Sequence, residues 1–226
     1  MFKPVTHVIF DMDGLMLDTE TTYEEVIEEI ARRHGKTYTD DVKLKIRGTP
    51  EPMTAKIAVT EMRLPMSPEE FSQIYKPMCD QRLQNPPLMP GVKKLVLHLK
   101  KHNIPMAIAT SGARGISEIK TKNHPEVFSC FSHTVYGSSD PEVKNGKPHP
   151  DIYLICAARF PDPPEAEKCL VLEDAPNGVT GALRAGMQVV MVPAEDVSEE
   201  LRKPATLVLK TLEDFKPEQF GLPAYD

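Results

Sequence analysis

The sequence predicts an α/β fold: a mainly parallel sheet core carrying an inserted, small α-helical domain. Three observations lead there. Short apolar runs rich in β-branched residues recur and end in Asp, Thr or Gly. Helix-like stretches separate most of them, the alternation expected of a parallel sheet. One long stretch after the first run holds helical patterns and no convincing strand. The runs are continuous rather than alternating, as strands covered on both faces require.

The first run, residues 5–10, is stopped by Asp11. The helical stretch follows. Tyr23, Val26, Ile27 and Ile30 recur at helical spacing, with Thr19 as the expected cap and Gly35 near the stop. Ser67-Pro68-Glu69-Glu70 combines an N-cap, a first-turn proline and a capping-box glutamate, and Phe71, Ile74, Tyr75 and Met78 give the helix an apolar face. Pro86, Pro87, Pro90 and Gly91 mark the return. Residues 17–87 are therefore expected to form a helical cap domain, and residues 1–16 and 88–226 the core. The later strands are expected at 104–109, 133–136, 169–172, 188–192 and 206–209.

Composition narrows the function. The chain has 226 residues, 27 Lys plus Arg against 33 Asp plus Glu, and a net charge of −6, a poor balance for binding nucleic acid or anionic membrane. No run approaches the ~20 apolar residues of a membrane span. Cys79, Cys130, Cys156 and Cys169 are scattered and lack zinc-ligand spacing, and the start lacks a signal peptide's apolar stretch. A soluble cytosolic protein is expected; oligomeric state is unreadable.

Four strand-end groups could carry chemistry. Asp11-Met12-Asp13-Gly14 sets two carboxylates one residue apart, so both can point to one side. A metal ion such as Mg²⁺ between them would let a carboxylate approach a phosphate dianion. The plainer reading is a strand stop and turn. Thr110-Ser111 opens a segment able to offer backbone N–H groups to an anion, or is an ordinary cap. Lys147, between Gly146 and Pro148-His149-Pro150-Asp151, sits in a stiffened turn, although loop lysines are usually solvated. Glu173-Asp174 ends another strand, where adjacent acids are costly unless they bind metal or cap a helix. On one sheet edge the four would form one site.

In this order and spacing, the motifs resemble those of the haloacid dehalogenase-like superfamily, in particular its phosphatase and phosphomutase branch with a helical cap. The resemblance spans residues 5 to about 193, with Leu15 and Met16 departing from the family's usual pattern. It implies a Rossmann-like core and a Mg²⁺-dependent phosphoric monoester hydrolase. By resemblance, Asp11 is the nucleophile, Asp13 the acid and base, and Thr110, Ser111 and Lys147 the phosphate binders. The metal falls to Asp11, the Asp13 backbone carbonyl, Asp174 and Glu173, the last directly or through water. A phosphomutase shares every motif, differing in where the phosphoryl group goes. A phosphoreceiver module differs in motif order and has no helical insert. A haloacid dehalogenase would need no metal.

Residues 4–20, 172–179, 186–193 and 220–223 resemble those of eukaryotic pseudouridine-5′-phosphatases, implying pseudouridine 5′-phosphate as substrate. In the cap, Arg47, Lys56, Tyr23 and Tyr75 are candidate substrate contacts, with Arg47 singled out, and the cap is expected to act as a mobile lid.

Overall fold

The computed structural model describes residues 2–46, 49 and 51–226. They fold as two compact units, Met1–Asp18 with Pro87–Asp226, and Thr19–Pro86.

The first unit is built on a six-stranded sheet. In chain order its elements are β1 (His7–Phe10), then, after the second unit, α5 (Val92–Lys101), β2 (Met106–Thr110), α6 (Arg114–Thr121), α7 (Pro125–Phe128) and β3 (Thr134–Tyr136). There follow α8 (Asp151–Ala158), β4 (Cys169–Glu173), α9 (Pro176–Arg184), β5 (Gln188–Met191), α10 (Glu199–Arg202) and β6 (Leu207–Val208). The spatial order is β3-β2-β1-β4-β5-β6, and every pairing is parallel. Each run expected as a strand contains one.

The strand ends differ by a residue or two. Val5 donates its N–H to Phe220 rather than to a sheet neighbour, so β1 starts at His7. Every residue of β1, β2 and β4 is buried. Side-chain alternation divides them between two apolar layers: Val8, Phe10, Leu170 and Leu172 face α5, whereas Ile9, Cys169 and Val171 face α8 and α9. Helices on both faces explain why these strands read as unbroken apolar runs.

The second unit contains α1 (Thr19–Arg33), α2 (Asp40–Ile46), α3 (Glu51–Met62) and α4 (Pro68–Arg82), with no strand among its described residues. Val26, Ile27 and Ile30 of α1 meet Ala55 and Ala58 of α3 and Phe71 of α4 in its core. The expected capping box is present: Ser67 Oγ accepts from the Glu70 N–H at 3.1 Å, and Glu70 Oε2 accepts from the Ser67 N–H at 2.7 Å. Two details of the sequence reading change. Thr19 is the first residue of α1 rather than its cap. Ile74 is 38% exposed, because Phe71, Tyr75 and Cys79 form the buried stripe of α4. Tyr75, 7% exposed, stacks on Phe71 in this core. Arg47 lies outside the described residues.

Candidate active site

Reading outward from β1, the chain runs to β2 and β3 on one side and to β4, β5 and β6 on the other. A parallel sheet that reverses direction in this way leaves a crevice at the carboxyl ends of the central strands. The strand-end residues of β2, β1 and β4 gather there. Asp11 follows Phe10 directly, Thr110 is the last residue of β2, and Glu173 is the last of β4. The turn before α8 delivers Lys147.

These side chains touch. Lys147 Nζ donates to Asp11 Oδ1 at 2.5 Å, to Glu173 Oε1 at 2.6 Å and to the Ala109 carbonyl at 3.0 Å. Three acceptors match the three protons of an ammonium. The Lys147 side chain is only 8% exposed, so this is not a solvated loop lysine. Burial works against its charge, but Asp11 and Glu173 outweigh that and hold its pKa well above the ordinary value. Burial pushes the Asp11 carboxyl up to about 8 against the downward pull of Lys147, with Glu173 adding to the rise. Asp11 and Glu173 share one cation, so a second, bound cation would favour the ionised form of Asp11.

Glu173 is the most constrained of the acids. Its Oε1 also accepts from the Tyr153 hydroxyl at 2.5 Å, and its Oε2 accepts from the N–H groups of Asp174 and Ala175 at 3.2 and 3.3 Å. Burial, and next the Glu173 charge, raise the Tyr153 phenol well above its ordinary pKa, so Tyr153 remains a donor. The backbone of α9 closes the other side: a Cβ on Gly178 would lie 2.0 Å from Glu173 Cδ.

Asp174 is not the cap of α9; that position is Ala175, which makes no side-chain cap bond. Instead, Asp174 stands against the motif after β1, where a Cβ on Gly14 (φ +83°) would fall 2.3 Å from Asp174 Oδ2. Among the described residues, Asp11, Glu173 and Asp174 form a group able to hold a metal ion, their ligand atoms within 4.8 Å of one another. An all-carboxylate donor set suits a hard cation such as Mg²⁺.

Thr110 is 1% exposed, and its Oγ1 accepts from the Gly112 N–H at 3.1 Å. It does not cap α6, whose N-cap is Ala113. Ser111 is exposed at the crevice. Asp13 faces a partner that sequence reasoning missed: Lys120, on α6, donates to Asp13 Oδ1 at 2.7 Å. Tyr153 was missed too, since it reads as one more apolar residue of α8. Leu15 and Met16, where the motif departs from the family pattern, are 1% and 0% exposed and belong to the core behind the acids.

The arrangement combines a buried carboxylate held by a cation, an acidic group for a metal, and a second carboxylate two residues along. Comparison with known proteins agrees with it. A family model described as "Haloacid dehalogenase-like hydrolase" matches residues 8–192. A Drosophila melanogaster protein named "Probable pseudouridine-5'-phosphatase" is 48% identical over 225 residues, covering 100% of this chain and 97% of that one. The Arabidopsis thaliana "(DL)-glycerol-3-phosphatase 2" is 44% identical, covering 98% and 93%. In fold, the chain is similar to a HAD family hydrolase of Deinococcus radiodurans solved with bound phosphate and sodium, with a TM-score of 0.83 at 20% identity, covering 96% and 95%. No helix among the described residues is long and apolar enough to cross a membrane. The chain belongs to the haloacid dehalogenase-like hydrolases and is an enzyme whose two near-full-length relatives above carry phosphatase names.

Proposed function

We propose that this enzyme is a Mg²⁺-dependent phosphomonoesterase that works through an aspartyl-phosphate on Asp11 and takes pseudouridine 5′-phosphate as its substrate. That it is a phosphatase follows from its family and near-full-length relatives, and the small phosphorylated metabolites in those relatives' names support a substrate of that kind. The observation that carries the mechanism is Asp11 itself, a buried carboxylate with Lys147 2.5 Å from one oxygen. A buried carboxylate is costly unless it is paired or coordinates a metal, and here Lys147 supplies the pair while Glu173 and Asp174 complete a group that could hold the metal.

Asp11 attacks phosphorus, and the ester bond breaks with its electron pair going to the leaving oxygen. Asp13 gives that oxygen a proton, then takes one from the water that hydrolyses the acyl phosphate. Lys147 holds the Asp11 carboxylate and adds positive charge beside the reacting phosphate. Thr110 and Ser111 bind the phosphoryl oxygens. Asp11, the Asp13 carbonyl and Asp174 are the assigned metal ligands, and Mg²⁺ there would offset the repulsion between nucleophile and phosphate. Every oxygen of Glu173 already accepts hydrogen bonds, so its assigned role is to hold Lys147 rather than to bind metal directly.

Catalysis is assigned to residues 1–16 and 88–226 and substrate selection to residues 17–87, with Arg47 a candidate contact. The 48% identical relative supports pseudouridine 5′-phosphate; the 44% identical one supports glycerol 3-phosphate as a second reading. The test is kcat/KM for these two esters beside uridine 5′-phosphate and hexose phosphates, with Mg²⁺ and with excess chelator. A clear preference for pseudouridine 5′-phosphate is expected, abolished by chelation. No preference removes that substrate, and full activity in chelator removes the metal.

A further inference from the structure

Helix α6 is inside out. It buries Ser117 and Lys120, at 1% and 3% exposure, and leaves Ile119 44% exposed. A helix normally turns its apolar residues inward, and a lysine is almost never fully buried unless paired. The pair of Lys120 is Asp13, with Nζ 2.7 Å from Oδ1; the lysine side chain is 4% exposed and the aspartate 28%. Ser117 lies one turn before Lys120, its hydroxyl buried with no hydrogen-bond partner. It also borders the loop after Thr110: the point a Cβ would occupy on Gly112 lies 3.0 Å from Ser117 Oγ, 3.4 Å from Thr110 Oγ1 and 3.8 Å from Asp13 Oδ2. Thus Lys120 holds one Asp13 oxygen, while the other faces the Thr110 side of the crevice.

We propose that Lys120 is a positioning residue for proton transfer: by tethering Oδ1 it fixes the Asp13 carboxyl so that Oδ2 carries the proton to the leaving oxygen. This rests on Asp13 being the acid of the proposed mechanism. In that step the Asp11–phosphorus bond forms, the phosphorus–ester oxygen bond breaks, and the released alkoxide takes the proton from Asp13. Water later returns a proton to Asp13 as it releases phosphate from Asp11. A loose carboxyl would still pack beside the site, but would meet the leaving oxygen less often in a productive geometry, and small displacements are costly in such transfers.

A positioning role has a readout that a purely structural role lacks. An alkoxide leaving group needs protonation, whereas p-nitrophenolate departs well without it. The experiment compares kcat/KM for a primary alkyl phosphate and for p-nitrophenyl phosphate in the wild type, Lys120→Met and Asp13→Asn. The alkyl-to-aryl ratio does not depend on the fraction of folded enzyme, so it stays interpretable if Lys120→Met is less stable. Lys120→Met should lower the ratio by at least about tenfold, a share of the 10²–10⁴ typical of general acid catalysis. Asp13→Asn should lower it further. Equal losses on both esters in Lys120→Met, with the expected bias in Asp13→Asn, would overturn the role of Lys120 and leave the mechanism standing. An unbiased loss in Asp13→Asn as well would overturn both.

Discussion

Gly178→Ala sets two physical effects against each other. Gly178 lies inside α9, where helix propensity alone favours alanine by about 1 kcal/mol. The structure reverses the sign. The added Cβ would sit 2.0 Å from Glu173 Cδ and 2.0 and 2.3 Å from its two oxygens, where ordinary contact begins at 3.4 Å. Glu173 cannot simply swing aside. It is 1% exposed and is held by Lys147, Tyr153 and two backbone N–H groups. Either α9 moves off the sheet or Glu173 gives up its partners. Overpacking of this kind costs about 1–3 kcal/mol, and a lost hydrogen bond to a charged group about 1.5–3 kcal/mol. Set against the ~1 kcal/mol of propensity, either cost leaves a net change of about 0–2 kcal/mol on the destabilising side in place of the gain that propensity suggests. Because Glu173 and Asp11 share Lys147, kcat/KM should also fall by about 10²-fold, the usual consequence of an ångström-scale shift in a reacting group. Urea denaturation and steady-state kinetics on one preparation measure both. An alanine variant as stable and active as the wild type would refute the view that Glu173 is pinned between α9 and Lys147.

Lys147→Ala should lower kcat/KM by about 10²-fold or more, as loss of other electrostatic stabilisers does. It should also destabilise the fold by about 3–5 kcal/mol, because Asp11 and Glu173 lose their buried partner; kinetics and chemical denaturation check the two effects. The stability of the protein should fall in mild acid through His133, whose pKa burial lowers from 6.5 although its ring meets the Cys156 carbonyl. A histidine depressed in the folded state costs nothing above the unfolded pKa, and its penalty grows as pH drops below 6.5 toward the folded value. His133→Gln should therefore flatten the decline in melting temperature below that pH, and an unchanged decline would assign it to other groups.

Much of the fold was legible because a doubly covered parallel strand has one available pattern, an unbroken apolar run, and each such run here became a strand. Edges were less legible: of the run 206–209 only Leu207 and Val208 form the strand, although the Thr206 and Leu209 N–H groups also donate to β5. The site motifs could be found because Asp11, Thr110 and Glu173 end or directly follow buried strands and occur together in one order; Lys147, read as a strand-end group, lies instead in the turn before α8. Lys120 and Tyr153 were hidden for opposite reasons. A lysine on a helix reads as solvated, and a tyrosine between Ile152 and Leu154 reads as core, so only the tertiary structure reveals what each one faces. The plainer reading of Asp174 as a helix cap also needed coordinates to remove it, because the chain places Ala175 there instead.

The chemistry rests on Asp11 attacking phosphorus, and trapping the intermediate tests that directly. The enzyme is mixed with Mg²⁺ and a phosphate ester, quenched in acid within milliseconds, reduced with borohydride and digested for peptide mass spectrometry. An acyl phosphate is reduced to an alcohol, so Asp11 should appear as homoserine, with no change at Asp13 and none in a control without substrate. Recovery of intact Asp11 while the alcohol is released in a burst ahead of phosphate, or modification at Asp13 instead, would contradict nucleophilic attack by Asp11.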